Sequence, residues 1–250
     1  MRTIALLLFS LLFAGACATH KPSVTPASFA GDPAIPPFNQ LILAEAAKYP
    51  TDGTHTYWWP RKGEGPKYDG CSADVFLGGK KVMSGEPEGR TFCCGLTLEV
   101  FAKVYDEFLK QNPGFESPLT EKNWKDFQGK WFVREMQGDG PGDALEAYGL
   151  GEKIARGDVL PGDFVQLWRN KRETEKNPSG HSVIFLAWQY DQKGEINGLR
   201  YWSTQTSTNG IHERIEEFGE KPGNIDAAHT YYSRANPKAG LKQNAKSAGQ

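Results

Sequence analysis

The sequence predicts an α+β fold. Residues with helical spacing dominate the chain as far as Tyr148, β-branched and aromatic runs dominate after Pro161, and no internal repeat is visible. Helices followed by a run of strands favour an antiparallel sheet, here of about five or six strands, packed against the strongest helix. The composition agrees with a globular chain: 250 residues, 38 % hydrophobic and 24 % charged, too polar for a multi-span membrane protein. With 29 basic against 30 acidic side chains there is no basic excess of the kind that nucleic-acid-binding domains carry, so no nucleic-acid partner is expected. Four cysteines without a C-x-x-C, and five histidines without ligand spacing, leave no metal site to propose.

The elements follow in order. Residues 1–16 read as an export signal, with Arg2 as the positive region, a short apolar core from Ile4 to Phe13, and Ala14-Gly15-Ala16 before Cys17. About ten apolar residues are too few to span a bilayer, which takes roughly 20. Two cleavage readings stand: an ordinary signal peptidase site, or a lipobox in which Cys17 is lipidated, with Ala14 in place of the usual Leu. The lipoprotein reading makes 17–37 a Pro-rich, extended tether, with Pro22, Pro26, Pro33, Pro36 and Pro37. The folded domain is expected over 38–234, and 235–250, with Lys238, Lys242 and Lys246 and no acid, as a disordered tail.

Within the domain, 38–49 predicts a helix capped by Asn39, with Leu41, Ile42 and Ala46 as its stripe. Gly78-Gly79 between short apolar runs predicts a hairpin over 74–83. Residues 93–109 give the clearest helix, with Leu96, Val100, Val104 and Phe108 on one face. Weaker helices are expected over 117–128 and 143–148, and strands over 164–168, 182–190, 199–206 and 228–234. The acidic stretch 213–220 reads as a solvated face.

One pair of residues stands out chemically. Cys93 opens the strongest helix, where the dipole and free N–H groups favour a thiolate and can hold an oxyanion. His181 opens the apolar strand Gly180-His181-Ser182-Val183-Ile184-Phe185, which suits a general base. Taken singly, a cysteine at a helix start is more often just buried, and a lone strand-end histidine is usually structural. Order and context add weight: Phe92-Cys93-Cys94-Gly95-Leu96, then Leu160-Pro161-Gly162-Asp163-Phe164-Val165, then His181 at its strand start. In this the chain resembles the NlpC-type cell-wall cysteine peptidases, a papain-like superfamily with the CHAP amidases as cousins. The family pattern is Asp-Cys-Ser-Gly-Leu opening a helix, Pro-Gly-Asp leading a strand, a strand starting with His, and a next strand with a third polar residue. The likeness runs over about 56–233. It departs in Phe92 for Asp, in Cys94 for Ser, and in an inferred insertion over 111–143.

The resemblance implies a papain-like core, with Cys93 as nucleophile and His181 as base. Cys94 is then a neighbour turned about 100° away around the helix, a small core residue or a disulfide partner of Cys71. On the next strand, period two puts Tyr201, Ser203 and Gln205 on one face, and the Gln205 carbonyl is the favoured acceptor for the imidazole. Ser203, Asn209 and His229 remain alternatives. Tyr57, in Thr56-Tyr57-Trp58-Trp59, matches a family tyrosine that lines the site, or belongs to an aromatic core. The expectation is an exported hydrolase that cuts amide bonds in peptidoglycan peptides without a cofactor, held at the envelope membrane through Cys17. The alternatives are an envelope lipoprotein that uses the same fold only to bind, and an acyltransferase or amidase acting on another substrate.

Overall fold

Alternation of apolar residues after Pro161 builds a single sheet on which the remaining elements rest. In a computed structural model, which describes residues 24–60, 64 and 67–237, the helices are α1 (Pro37–Ala46), α2 (Cys93–Gln111), α3 (Trp124–Trp131) and α4 (Pro141–Ala147). A hairpin, β1 (Val75–Leu77) and β2 (Lys80–Met83), precedes α2. The main strands are β3 (Gly151–Lys153), β4 (Phe164–Arg169), β5 (Ser179–Tyr190), β6 (Ile196–Gln205), β7 (Gly210–Glu217) and β8 (Ile225–Ala235). They form one sheet in the order β3-β8-β4-β5-β6-β7, antiparallel at every pairing. The fold is therefore α+β with a six-stranded antiparallel sheet and a separate two-stranded one.

Period two divides the sheet between two cores. Phe164, Ile184, Leu186 and Trp202 join the helices in the larger core; Val165, Leu167, Val183, Phe185 and Tyr201 form the smaller one. In α2, 13 of 19 residues are buried, so the helix is interior on most of its circumference and not a surface amphipath. Phe101 at its centre packs its ring against Phe127, Trp131 and Phe164.

Several elements differ from the sequence reading. Helix α1 starts at Pro37, whose missing N–H costs nothing at a first helical position. Asn39 is not its cap. It is buried inside the helix, and its amide donates to the Pro161 carbonyl (3.0 Å) and to Asp163 Oδ1 (2.7 Å). Leu41 is 43 % exposed, and Ile42, Leu43 and Ala46 carry the buried face instead. The segment expected to be an extended tether is folded in its described part. Pro26–Phe29 makes a 3₁₀ turn with Pro26 buried, and Gln40 holds the Asp32 and Ile35 carbonyls. Helix α3 begins at Trp124 because Ser117 and Asn123 bond to nearby backbone and fold 117–123 as turns. The acidic 213–220 stretch is largely strand β7, with Glu216 buried. Ala235 ends β8; the rest of the expected tail beyond Pro237, the export signal and the lipidation residue Cys17 lie outside the described residues.

The Pro-Gly-Asp turn is the lock between α1, β4 and β8. Gly162 (φ +89°) takes a backbone conformation that a side chain disfavours, close against Asn39. Fully buried Asp163 accepts from Asn39, from the Leu160 N–H (2.7 Å), and from Arg234 Nε (2.8 Å) and Nη2 (2.7 Å). Burial still pushes the Asp163 carboxyl above the usual carboxylate range against these partners. Removing the cation leaves that carboxylate buried without its ion partner, so Arg234→Ala is expected to cost about 2–4 kcal/mol in urea unfolding. An unchanged unfolding midpoint would show that the lock is unimportant.

Candidate active site

Phe92 approaches α2 in extended backbone and offers no capping side chain, so the positive helix end opens at Cys93. Thr91 fixes the approach. Its N–H and carbonyl bond the backbone of Thr56 and Trp58, and its hydroxyl donates to Thr204 on β6 (2.9 Å). One turn into the helix, Thr97 meets Ser182 of β5 (2.9 Å) and accepts from Trp131 Nε1 (3.2 Å). The start of α2 is thereby pinned over the start of β5, where His181 stands.

Cys93 is 7 % exposed and His181 5 %. The Cys93 sulfur is in hydrogen-bond contact with Cys94, with the His181 ring and with the Ser182 N–H. His181 Nε2 lies 3.3 Å from Gln205 Oε1, which leaves Nδ1 for the sulfur. The Gln205 amide is oriented by its other end: Nε2 donates to Thr208 Oγ1 (2.5 Å), so the carbonyl oxygen faces the imidazole. Tyr201 packs edge-on to the His181 ring, with centroids 5.6 Å apart.

Thiol donation from Cys94 does most to hold the Cys93 thiol well below its ordinary pKa. Burial opposes it, and the charge and hydrogen bond of His181 and the Ser182 N–H assist. Cys94 shifts the other way, raised by burial and by giving its hydrogen bond to Cys93. Cys94 itself joins the larger hydrophobic core, which Cys93 does not, as expected of a small core residue one helical step away. Cys71, Cys93 and Cys94 are all free thiols, so no Cys71–Cys94 disulfide is present.

A cleft of about 240 Å³ opens over Cys93 and His181, walled by Tyr57, Trp59, Phe132, Val133, Gln166 and Trp168. Tyr57 is set there by its bridge to Thr91, and burial, then the Cys93 charge, push its phenol upward, so it stays a neutral donor. The structure thus brings Cys93, His181, Gln205 and Tyr57 together. Of the alternatives for the third position, Ser203 donates to the Ser182 carbonyl (2.9 Å), Asn209 shapes the turn before β7 with φ +54°, and His229 pairs with Asp226 (2.7 Å). Gln166 was missed, although a lone amide in the apolar run of β4 was a visible signal. Among the described residues, no group of three or more His, Cys, Asp or Glu is placed to hold a metal ion. Compared with known protein families, curated proteins and solved structures, the chain matches none.

If Cys94 sustains the thiolate, iodoacetamide labelling of Cys93 should persist at pH values well below the ordinary thiol pKa of about 8.5. Cys94→Ala should move the labelling profile upward, and Cys94→Ser, which keeps a donor, should not. Identical profiles in wild type and Cys94→Ala would refute the assignment.

Proposed function

We propose that the protein is an exported cysteine hydrolase that cleaves amide bonds in cell-wall peptide, as a divergent, papain-like relative of the NlpC-type peptidases. The observation that carries this reading is His181 held between Cys93 and the oriented carbonyl of Gln205. The substrate class and the envelope location rest on the sequence resemblance and on residues 1–17.

The chemistry follows from the residues. The Cys93 thiolate attacks the scissile carbonyl carbon, and the oxygen that gains the electron pair is held by N–H groups at the uncapped start of α2. His181, carrying the thiol proton, gives it to the leaving nitrogen as the C–N bond breaks. Water then attacks the thioester while His181 takes one of its protons, and the acid leaves as the sulfur recovers its electron pair. Gln205 fixes the ring angle and tautomer throughout, and the aromatic walls keep bulk water from the acyl intermediate.

Two measurements test the proposal. Mass spectrometry of purified peptidoglycan treated with wild type should show peptide cuts that are absent with Cys93→Ala. Intact wall combined with a Cys93 inert to thiol probes would remove the enzyme reading. In Gln205→Ala, loss of a neutral orienting hydrogen bond should lower kcat roughly 10- to 1,000-fold, less than His181→Ala does, with KM nearly unchanged.

A further inference from the structure

A second cleft, of about 350 Å³, adjoins the first and shares Tyr57, Gly180 and His181 with it. Its walls have a different chemistry. Where the Cys93 cleft is aromatic, this one is lined by Arg169, Arg172 and Arg214 with one carboxylate, Glu175, and by Ser179, Thr206 and Ser207, with Gln205 at the junction. We propose that this arginine-lined cleft is a subsite for a carboxylate carried by the leaving-group side of the substrate. The proposal rests on the hydrolase reading above for its direction along the substrate.

The charge count favours an anion. The Glu216 carboxylate is shared by two guanidinium groups: Arg169 reaches it through Nε (3.0 Å) and Nη2 (2.7 Å), and Arg214 through Nη2 (2.6 Å). One carboxylate thus faces two cations, and Arg214 Nη1 is held toward the cleft rim by Ser207 (2.8 Å). Arg172 has no ion-pair partner among the described residues. Its own N–H is fixed by Glu175 (3.1 Å), and its guanidinium lies so close over Gly223 that a Cβ there would stand 3.1 Å from Nε. Three cations against Glu175 and Glu216 leave one positive charge unanswered in a cleft that His181 also lines. Planar guanidinium groups suit bidentate carboxylate recognition.

Chemistry supplies the direction. His181 must hand its proton to the departing amine, so that amine lies over the imidazole. The acyl part then occupies the aromatic cleft on the Cys93 side. The amine part continues past His181 and Gln205 into the arginine cleft. An amine component bearing a free carboxylate, either an α-carboxylate or an acidic side chain, would meet Arg172 there.

Binding of product-like dipeptides to Cys93→Ala, followed by NMR titration, tests this without requiring turnover. Glycylglutamine carries a free α-carboxylate, glycylglutamic acid α-amide carries a side-chain carboxylate, and glycylglutamine amide carries neither. At least one of the two acids should bind roughly ten-fold tighter than the neutral amide, and which one does so identifies the carboxylate read. The preference should vanish in Arg172→Gln and survive in Lys176→Gln, which removes a charge from the same loop outside the cleft. Equal binding of all three dipeptides, or a preference that persists in Arg172→Gln, would overturn the subsite. The hydrolase reading fails separately, through a wild-type Cys93 that no thiol probe labels.

Discussion

Everything at the site depends on how the first turn of α2 sits against the sheet. Four contacts hold that seat: Thr91 to Thr204, Thr97 to Ser182, Trp131 to Thr97, and the close passage of Gly95 over the 69–70 backbone. The first three bury hydroxyl groups whose desolvation is offset only while both partners stay in register, so they specify one position of the helix and reject slid ones. The fourth is steric. A Cβ on Gly95 would collide with the Asp69 carbonyl and the Gly70 backbone, so the glycine two residues after Cys93 is a packing requirement. Sliding α2 along the sheet would move the Cys93 sulfur relative to the imidazole and the Ser182 N–H together.

The electrostatic design sets the Cys93–His181 pair among neutral donors and acceptors, with the arginine and glutamate charges one layer out. Cys94, the Ser182 N–H and Gln205 surround the sulfur and the ring. A buried carboxylate in the position of Gln205 would stabilise an imidazolium more, but would add a second anion to a pocket already holding a thiolate. The full charges stand on β4 and β7, where Arg169 and Glu216 pair behind Tyr201. Arg169, held in its cationic form chiefly by Glu216 against the cost of burial, also feels the Cys93 charge. Arg169 thus adds a background of positive potential to the charge that His181 already brings to the sulfur.

Long periodic elements were legible in the sequence, and elements set by tertiary contacts were not. Helix α2 announced itself through Leu96, Val100, Val104 and Phe108, and strands β4 to β6 through their β-branched and aromatic runs. Cys93, His181 and Gln205 were readable because a helix start, a strand start and a period-two face each have local signatures. By contrast, Asn39 looks like a cap in sequence, and only the fold reveals Asp163 as its partner, 124 residues away. Strand β7 was hidden by its acids. Glu213, Glu216 and Glu217 resemble a solvated run until Arg169 and Arg214 supply the cations that let Glu216 be buried.

The segment between α2 and α4, where the sequence resemblance implies an insertion, shapes one wall of the Cys93 cleft. Trp124, Phe127 and Trp131 of α3 are buried, Phe127 and Trp131 against Phe101 of α2, and that anchoring delivers Phe132 and Val133 to the wall of the Cys93 cleft. Val133 has φ +60°, a conformation that is costly for a β-branched residue and persists only when its surroundings dictate it. The surroundings are identifiable. Gly140 (φ +69°) passes so near that a Cβ there would lie 2.7 Å from Val133 Cγ2 and 2.9 Å from the Trp131 carbonyl. Just beyond, the Gly138 carbonyl accepts from the cleft residue Trp168 (3.0 Å). A relaxed backbone at Val133 would break this packing, so the strain is the consequence of holding Phe132 and Val133 in the cleft wall. The aromatic cleft therefore owes one wall to residues before α2 and the other to residues after it, while the sheet supplies the base between them.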